Sequence, residues 1–163
     1  MKIFLNSLEL IAYDFDGVFT NNYVYVDEKG VEFVRCNRSD GIGINIIKTM
    51  GIKQIIITTE QKLIAEERAY KMGIKCFSGC KNKLQTLKDY CYSKNLKLEN
   101  VIFVGNDLND YEVMKNVGMS FCPANATQEI KDISTLVIPI NGGCGVVRFF
   151  AKMLKEFFSL KAK

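Results

Sequence analysis

The sequence predicts an α/β fold, a parallel sheet covered by helices on both faces. Two observations predict it. Short runs rich in branched apolar residues alternate along the chain with segments of helical period. With 163 residues, 48% of them apolar, there is material for one buried core and no room for a second. One domain spanning residues 1–163 is therefore expected.

The first strand is placed at Leu10 to Tyr13. Tyr23 to Cys36 then breaks the rhythm, because YVYVDEKGVEFVRC alternates apolar and polar residues about a DEKG turn and so predicts a β-hairpin. The hairpin should stand above the carboxyl edge of the sheet. Ser39 or Asp40 is placed as the cap of a helix that runs to Met50 and is ended by Gly51. A strand at Gln54 to Thr58 leads to a helix from Gln61 to Met72, ended by Gly73. Cys76 to Phe77 is the next strand, and Lys83 lies near the start of an amphipathic helix. Val101 to Gly105, Met119 to Cys122 and Leu136 to Ile138 complete the strands. The chain reads as compact from about residue 8 to residue 160, with a short Lys-containing tail.

Composition excludes several classes of function. The net charge is +4, and the 22 basic residues are scattered among 18 acids, so there is no basic stripe for nucleic acid. The first residues are interrupted by Asn6, Ser7 and Glu9, which fits neither a secretory leader nor a membrane span. Six cysteines show no paired CxxC spacing, and reduced thiols in a cytoplasmic protein are expected. There is no histidine, so triads and general bases built on imidazole are excluded. Catalysis must rest on carboxylates, lysine, cysteine, hydroxyls or a bound metal.

In open parallel sheets the loops leaving the carboxyl ends of strands meet in one crevice, and four such places carry polar groups. Asp14 and Asp16 follow the first strand two residues apart, able to face one site, with Gly17 permitting a tight turn beside an anion. A DxD pair alone also reads as a solvated turn. Thr58 and Thr59 end a strand before a helix and suit a phosphoryl group, or simply cap the helix. Lys83 at a helix start opposes the helix dipole, which favours a function over a surface charge only mildly. Asn106, Asp107, Asn109 and Asp110 gather hard oxygen donors of the kind Mg²⁺ prefers.

Taken in order, Asp-x-Asp-Gly-Val-x-Thr, a Thr after a second strand, a Lys, and Gly-Asn-Asp-x-Asn-Asp resemble the four-part pattern of the haloacid dehalogenase superfamily. The resemblance covers nearly the whole chain. DGVFT, the hairpin, Ser39-Asp40-Gly41, the TTEQ segment and Asn141 to Arg148 narrow it to the capless group that includes 3-deoxy-octulosonate 8-phosphate and 2-keto-3-deoxynononate 9-phosphate phosphatases. It implies a three-layer Rossmann-like sheet with a small hairpin insertion and no cap domain.

For chemistry the resemblance implies a Mg²⁺-dependent phosphomonoester hydrolase. Asp14 would be the nucleophile and Asp16 the general acid and base, with Thr58 and Lys83 on phosphoryl oxygens. Asp14, Asp16, Asn106, Asp107 and Asp110 would form the metal side of the site. Ser39, Asp40, Thr59, Glu60, Arg68 and Lys71 would meet a sugar-acid phosphate, Arg68 gripping its carboxylate. Arg68 and Lys71 also read as a solvated helix face. The Gly-rich segment Asn141 to Arg148 would help close a neighbouring subunit's site in a homotetramer.

The sequence departs from the phosphatase pattern at Asn106, where the well-characterised type has Asp. The Gly-Asn-Asp form resembles domains fused to acylneuraminate cytidylyltransferases. A catalytically weakened oligomerisation module in such a pathway, with a cytidylyltransferase partner, is therefore the competing expectation. A phosphoacceptor receiver domain fits poorly, since its acceptor Asp sits on a later strand.

Overall fold

The computed structural model describes residues 6–61 and 63–159. Eight strands are present: β1 Leu10–Tyr13, β2 Thr20–Val26, β3 Glu32–Cys36, β4 Lys53–Ile57, β5 Lys75–Phe77, β6 Val101–Val104, β7 Met119–Pro123 and β8 Leu136–Ile138. Six helices lie among the described residues: α1 Ser39–Thr49, α2 Leu63–Met72, α3 Lys83–Ser93, α4 Tyr111–Lys115, α5 Gln128–Ile133 and α6 Val146–Ser159. Six strands form a parallel sheet in the order β5-β4-β1-β6-β7-β8, and β2 and β3 form a separate antiparallel pair. The tail residues 160–163 lie outside the described residues.

Side-chain alternation along the strands explains the three layers. Leu10 and Ala12 of β1 join Ile55, Ile57, Val101 and Phe103 on one face, under Leu87 of α3, Val113 of α4 and Ile130 of α5. Ile11 and Tyr13 join Ile56, Ile102 and Val104 on the other, under Ile44 and Ile47 of α1, Ala69 of α2 and Phe150 of α6. Strands buried on both faces need continuous apolar runs, and LIAY and VIFV supply them. A buried polar bridge crosses this layer: Tyr13 Oη donates to Gln54 Oε1 (3.0 Å) and Gln54 Nε2 donates to the Ile44 carbonyl (3.0 Å).

Strand β1 is central, flanked by β4 from one half of the chain and β6 from the other. The strand order reverses there, and the crevice opens above the carboxyl ends of these three strands.

Two local expectations are corrected. Neither Ser39 nor Asp40 caps α1, whose first turn follows Arg38 with no side-chain cap. Asp40 is fully buried, and its Oδ1 accepts the N–H groups of Val147 (2.9 Å) and Arg148 (3.1 Å), so it caps the distant helix α6. The hairpin has its turn at Asp27, whose Oδ1 accepts from Lys29 (2.9 Å) and Val31 (2.8 Å); Val34 and Cys36 of β3 are half-buried against the core, while Tyr23 through Val26 are exposed.

Candidate active site

Asp14 leaves β1 with its N–H still bonded to the Val104 carbonyl (2.9 Å), which pins it between β1 and β6. Its Oδ1 accepts the Phe15 N–H (2.8 Å) and lies 2.7 Å from Lys83 Nζ. Lys83, the first residue of α3, also reaches Asp110 Oδ1 at 2.6 Å. Asp110 Oδ2 accepts the Asn106 N–H (2.9 Å), so Asp110 braces both the lysine and the loop after β6. Asp107 caps the short turn that follows, its Oδ1 accepting the Leu108 N–H (2.7 Å).

Two carboxylates share one ammonium in a dry place. Burial pulls Lys83 down, but Asp14 and Asp110 outweigh it and hold the ammonium above its ordinary range. Burial and then the Asp110 charge push Asp14 up to about 8, with Lys83 opposing. A carboxylate nucleophile must be ionised near neutral pH, so this site calls for further positive charge.

The donor set is right for a hard cation. The Asn106 carboxamide packs against the Asp16 carbonyl oxygen (2.7 Å) and Asp14 Oδ2 (3.2 Å). With its nitrogen turned in, it donates to both; with its oxygen turned in, three oxygens from three residues converge, as Mg²⁺ requires. Among the described residues no three Asp, Glu, His or Cys side chains cluster in metal geometry, so an amide and a backbone carbonyl would have to complete the set. Gly17, at φ +79°, makes this approach possible: a Cβ there would stand 2.0 Å from Asn106 Nδ2.

Above this floor lie two adjoining compartments of about 310 and 150 Å³. The first is polar, lined by Asp14, Asp16, Asn22, Thr58, Thr59, Glu60, Asn106, Asp107 and Asn109. The second runs between the hairpin and α2, lined by Phe15, Asp16, Asn22, Val24, Glu32, Val34, Glu60, Ile64 and Ala65. Thr20 Oγ1 donates to Asp16 Oδ1 (3.1 Å) and accepts from the Gly17 and Asn22 N–H groups (3.1 and 3.2 Å), fixing the turn that carries Asp16. Thr58 Oγ1 accepts the Glu60 N–H (3.2 Å).

The fold thus brings together Asp14, Asp16, Thr58, Thr59, Glu60, Lys83, Asn106 and Asp107. It does not bring in the others. Asp110, expected near the metal, spends both oxygens on Lys83 and the loop. Asp40, expected beside a substrate, is buried under α6, and Ser39 Oγ donates to Asn37 Oδ1 (2.8 Å). Arg68 donates from Nη2 to the Asn37 carbonyl (3.0 Å), and neither it nor the exposed Lys71 lines either compartment. The Gly-rich segment contacts the turn after β1 of its own chain: Gly143 donates to the Val18 carbonyl (3.0 Å), and a Cβ at Gly142 would meet the Gly17 carbonyl at 2.0 Å.

Sequence reasoning missed Asn22 and Glu32. Asn22 has a left-handed backbone, φ 65°, which Asn tolerates best among residues with side chains; the Asn-Asn pair before the hairpin was the signal. Asn109 belongs to the cluster after β6, and its Nδ2 lies 3.5 Å from Thr59 Oγ1.

Comparison with known proteins agrees with this geometry. Residues 44–150 match the haloacid dehalogenase-like hydrolase family. The chain is 34% identical to the 3-deoxy-D-manno-octulosonate 8-phosphate phosphatase of Salmonella typhi over 149 residues, covering 91% of this chain and 79% of that protein. The crystal structure of the same enzyme from Yersinia pestis superposes with a TM-score of 0.91 at 29% identity, covering 97% of this chain and 86% of that one. The enzyme from Moraxella catarrhalis, crystallised with magnesium, phosphate and its sugar acid, shares the fold at 23% identity and a TM-score of 0.90, over 99% and 95% of the chains.

Proposed function

The chain belongs to the haloacid dehalogenase-like hydrolases, and on that premise we propose that it is a Mg²⁺-dependent phosphatase acting on an eight- or nine-carbon 3-deoxy-2-keto sugar acid phosphate. The observation that carries the reading is the convergence of Asp14, Asp16 and Asn106 from two strand ends onto one polar compartment, with Lys83 of α3 bonded to Asp14.

Asp14, Asn106 and the Asp16 carbonyl are the groups that would hold magnesium, with Asp107 at the edge of the same compartment. Bound there, the metal would offset the repulsion between carboxylate and phosphoryl oxygens, about 4 kcal/mol for unit charges 4 Å apart at an effective dielectric near 20. Asp14 attacks phosphorus as a carboxylate, the bond from phosphorus to the sugar oxygen breaks, and Asp16 gives that oxygen its proton. Asp16, now ionised, takes a proton from water attacking the same phosphorus, and phosphate departs with Asp14 restored. Thr58 and Lys83 hold phosphoryl oxygens, while Lys83 also keeps Asp14 oriented. Thr59 and Glu60 stand where the leaving sugar enters.

Assembly as a homotetramer in the cytoplasm completes the reading. One hairpin face offers Tyr23, Tyr25 and Phe33, a self-associating surface of the kind that second copies cover.

Phosphate release across a panel of keto-acid phosphates and hexose phosphates, with and without Mg²⁺, tests the proposal. A kcat/KM at least tenfold higher for the keto acids, lost on chelation, is expected; equal rates across the panel would remove the substrate class. Asn106 favours one second reading, because it brings no charge to the metal: an oligomerisation module that serves a cytidylyltransferase pathway. No phosphate release from any ester, with assembly intact, would be its signature.

A further inference from the structure

The smaller compartment, where a leaving group would lie, is lined by apolar side chains and by three acids, Asp16, Glu32 and Glu60. Among the described residues lining it, Asn22 is the only side chain besides a protonated Asp16 that can donate a hydrogen bond. Asn22 also lines the polar compartment over Asp14, so it stands at the junction of the two. Its position is fixed from the catalytic turn: its N–H donates to Thr20 Oγ1 (3.2 Å), which itself donates to Asp16 Oδ1 (3.1 Å). Its backbone is left-handed and its carboxamide has no hydrogen-bond partner among the described residues.

Among the described lining residues a keto or carboxylate oxygen meets mainly acids and hydrocarbon, with Asn22 the one amide that can donate to it. An acceptor that gives up part of its hydration there without a donor loses affinity. Arg68 and Lys71, the cations expected for that task, lie elsewhere. We propose that Asn22 is a specificity-determining residue, whose carboxamide donates to an acceptor oxygen of an α-keto acid leaving group beside the phosphoester. The inference rests on the reading of this crevice as a phosphatase site.

Asn22→Gly tests it without disturbing the backbone, since glycine accepts the left-handed conformation at no steric cost. For a keto-acid phosphate, kcat/KM is expected to fall about tenfold or more, mainly through KM, and by clearly less for p-nitrophenyl phosphate. Asn22→Asp, which exchanges the donor for an acceptor, is expected to lower it further. Calorimetric affinity for the dephosphorylated keto acid reads the same contact without turnover and should weaken about tenfold in Asn22→Gly. Wild-type hydrolysis with equal losses on both esters overturns the role of Asn22 and leaves the phosphatase reading standing. Absent hydrolysis with keto-acid binding that weakens in the variant does the reverse. Keto-acid affinity that is absent, or unchanged in Asn22→Gly, overturns the inference.

Discussion

At the floor of the crevice Asp14, Lys83 and Asp110 are 4, 3 and 0% exposed and are bonded to one another. At its rim Tyr23, Tyr25 and Phe33 are 70, 57 and 56% exposed, on the outer face of the hairpin. The floor is completed by the chain's own strands and helices. Even its support is internal: Asp40 anchors α6, and the segment before α6 backs the turn that carries Asp16. The contrast separates two tasks. On the proposed reading, chemistry would be preorganised within one chain, and the apolar area left at the rim would serve binding and assembly.

The sharpest way to break this contrast is Lys83→Ala. It leaves two buried carboxylates without a partner, and a loss of roughly 3–5 kcal/mol of folding stability is expected in urea unfolding. A loss below 1 kcal/mol would mean that the floor is wetter than its burial indicates.

A smaller effect is expected at Asp40, which burial pushes up to about 6 against the pull of the Arg148 and Val147 N–H groups. A carboxyl whose folded pKa lies above its unfolded value near 3.8 stabilises the fold while protonated. That contribution is whole below pH 3.8 and is lost as pH rises through 6. Asp40→Asn keeps an acceptor for α6 and removes the charge, so its stability relative to wild type should rise by on the order of 2 kcal/mol from pH 4 to pH 7. A constant difference across that range would contradict the account of Asp40.

Asn106→Asp sharpens the comparison at the metal. A charged ligand in place of an amide should tighten Mg²⁺ about tenfold in calorimetry. At the rim, Tyr25→Ser with Phe33→Ser should change folding stability by about 0.5 kcal/mol per substitution or less, while sedimentation shows smaller assemblies. A large loss of chain stability with unchanged assembly would place those rings in the core's account instead.

The central strands were legible to within about a residue because β1 and β6 are apolar runs buried on both faces, a signal that local sequence carries in full. The polar floor was legible for a related reason: Asp14, Thr58 and Asn106 each stand directly after, or one residue beyond, such a run. What escaped depends on partners far along the chain. Asp40 reads locally as a cap or a substrate contact, but its partners are Val147 and Arg148, more than a hundred residues on. The rotation of α2 that turns Arg68 toward Asn37 is set by packing, not by the spacing of its charges. Asn22 escaped because the sign of φ is a property of the turn, to which an Asn only lends tolerance.

The central claim is that Asp14 itself receives the phosphoryl group. Rapid quenching of wild type with phosphate-labelled substrate and Mg²⁺ should trap protein-bound label that hydroxylamine removes, and Asn in place of Asp14 should trap none and release no phosphate. Phosphate release by Asp14→Asn at the wild-type rate would contradict the account.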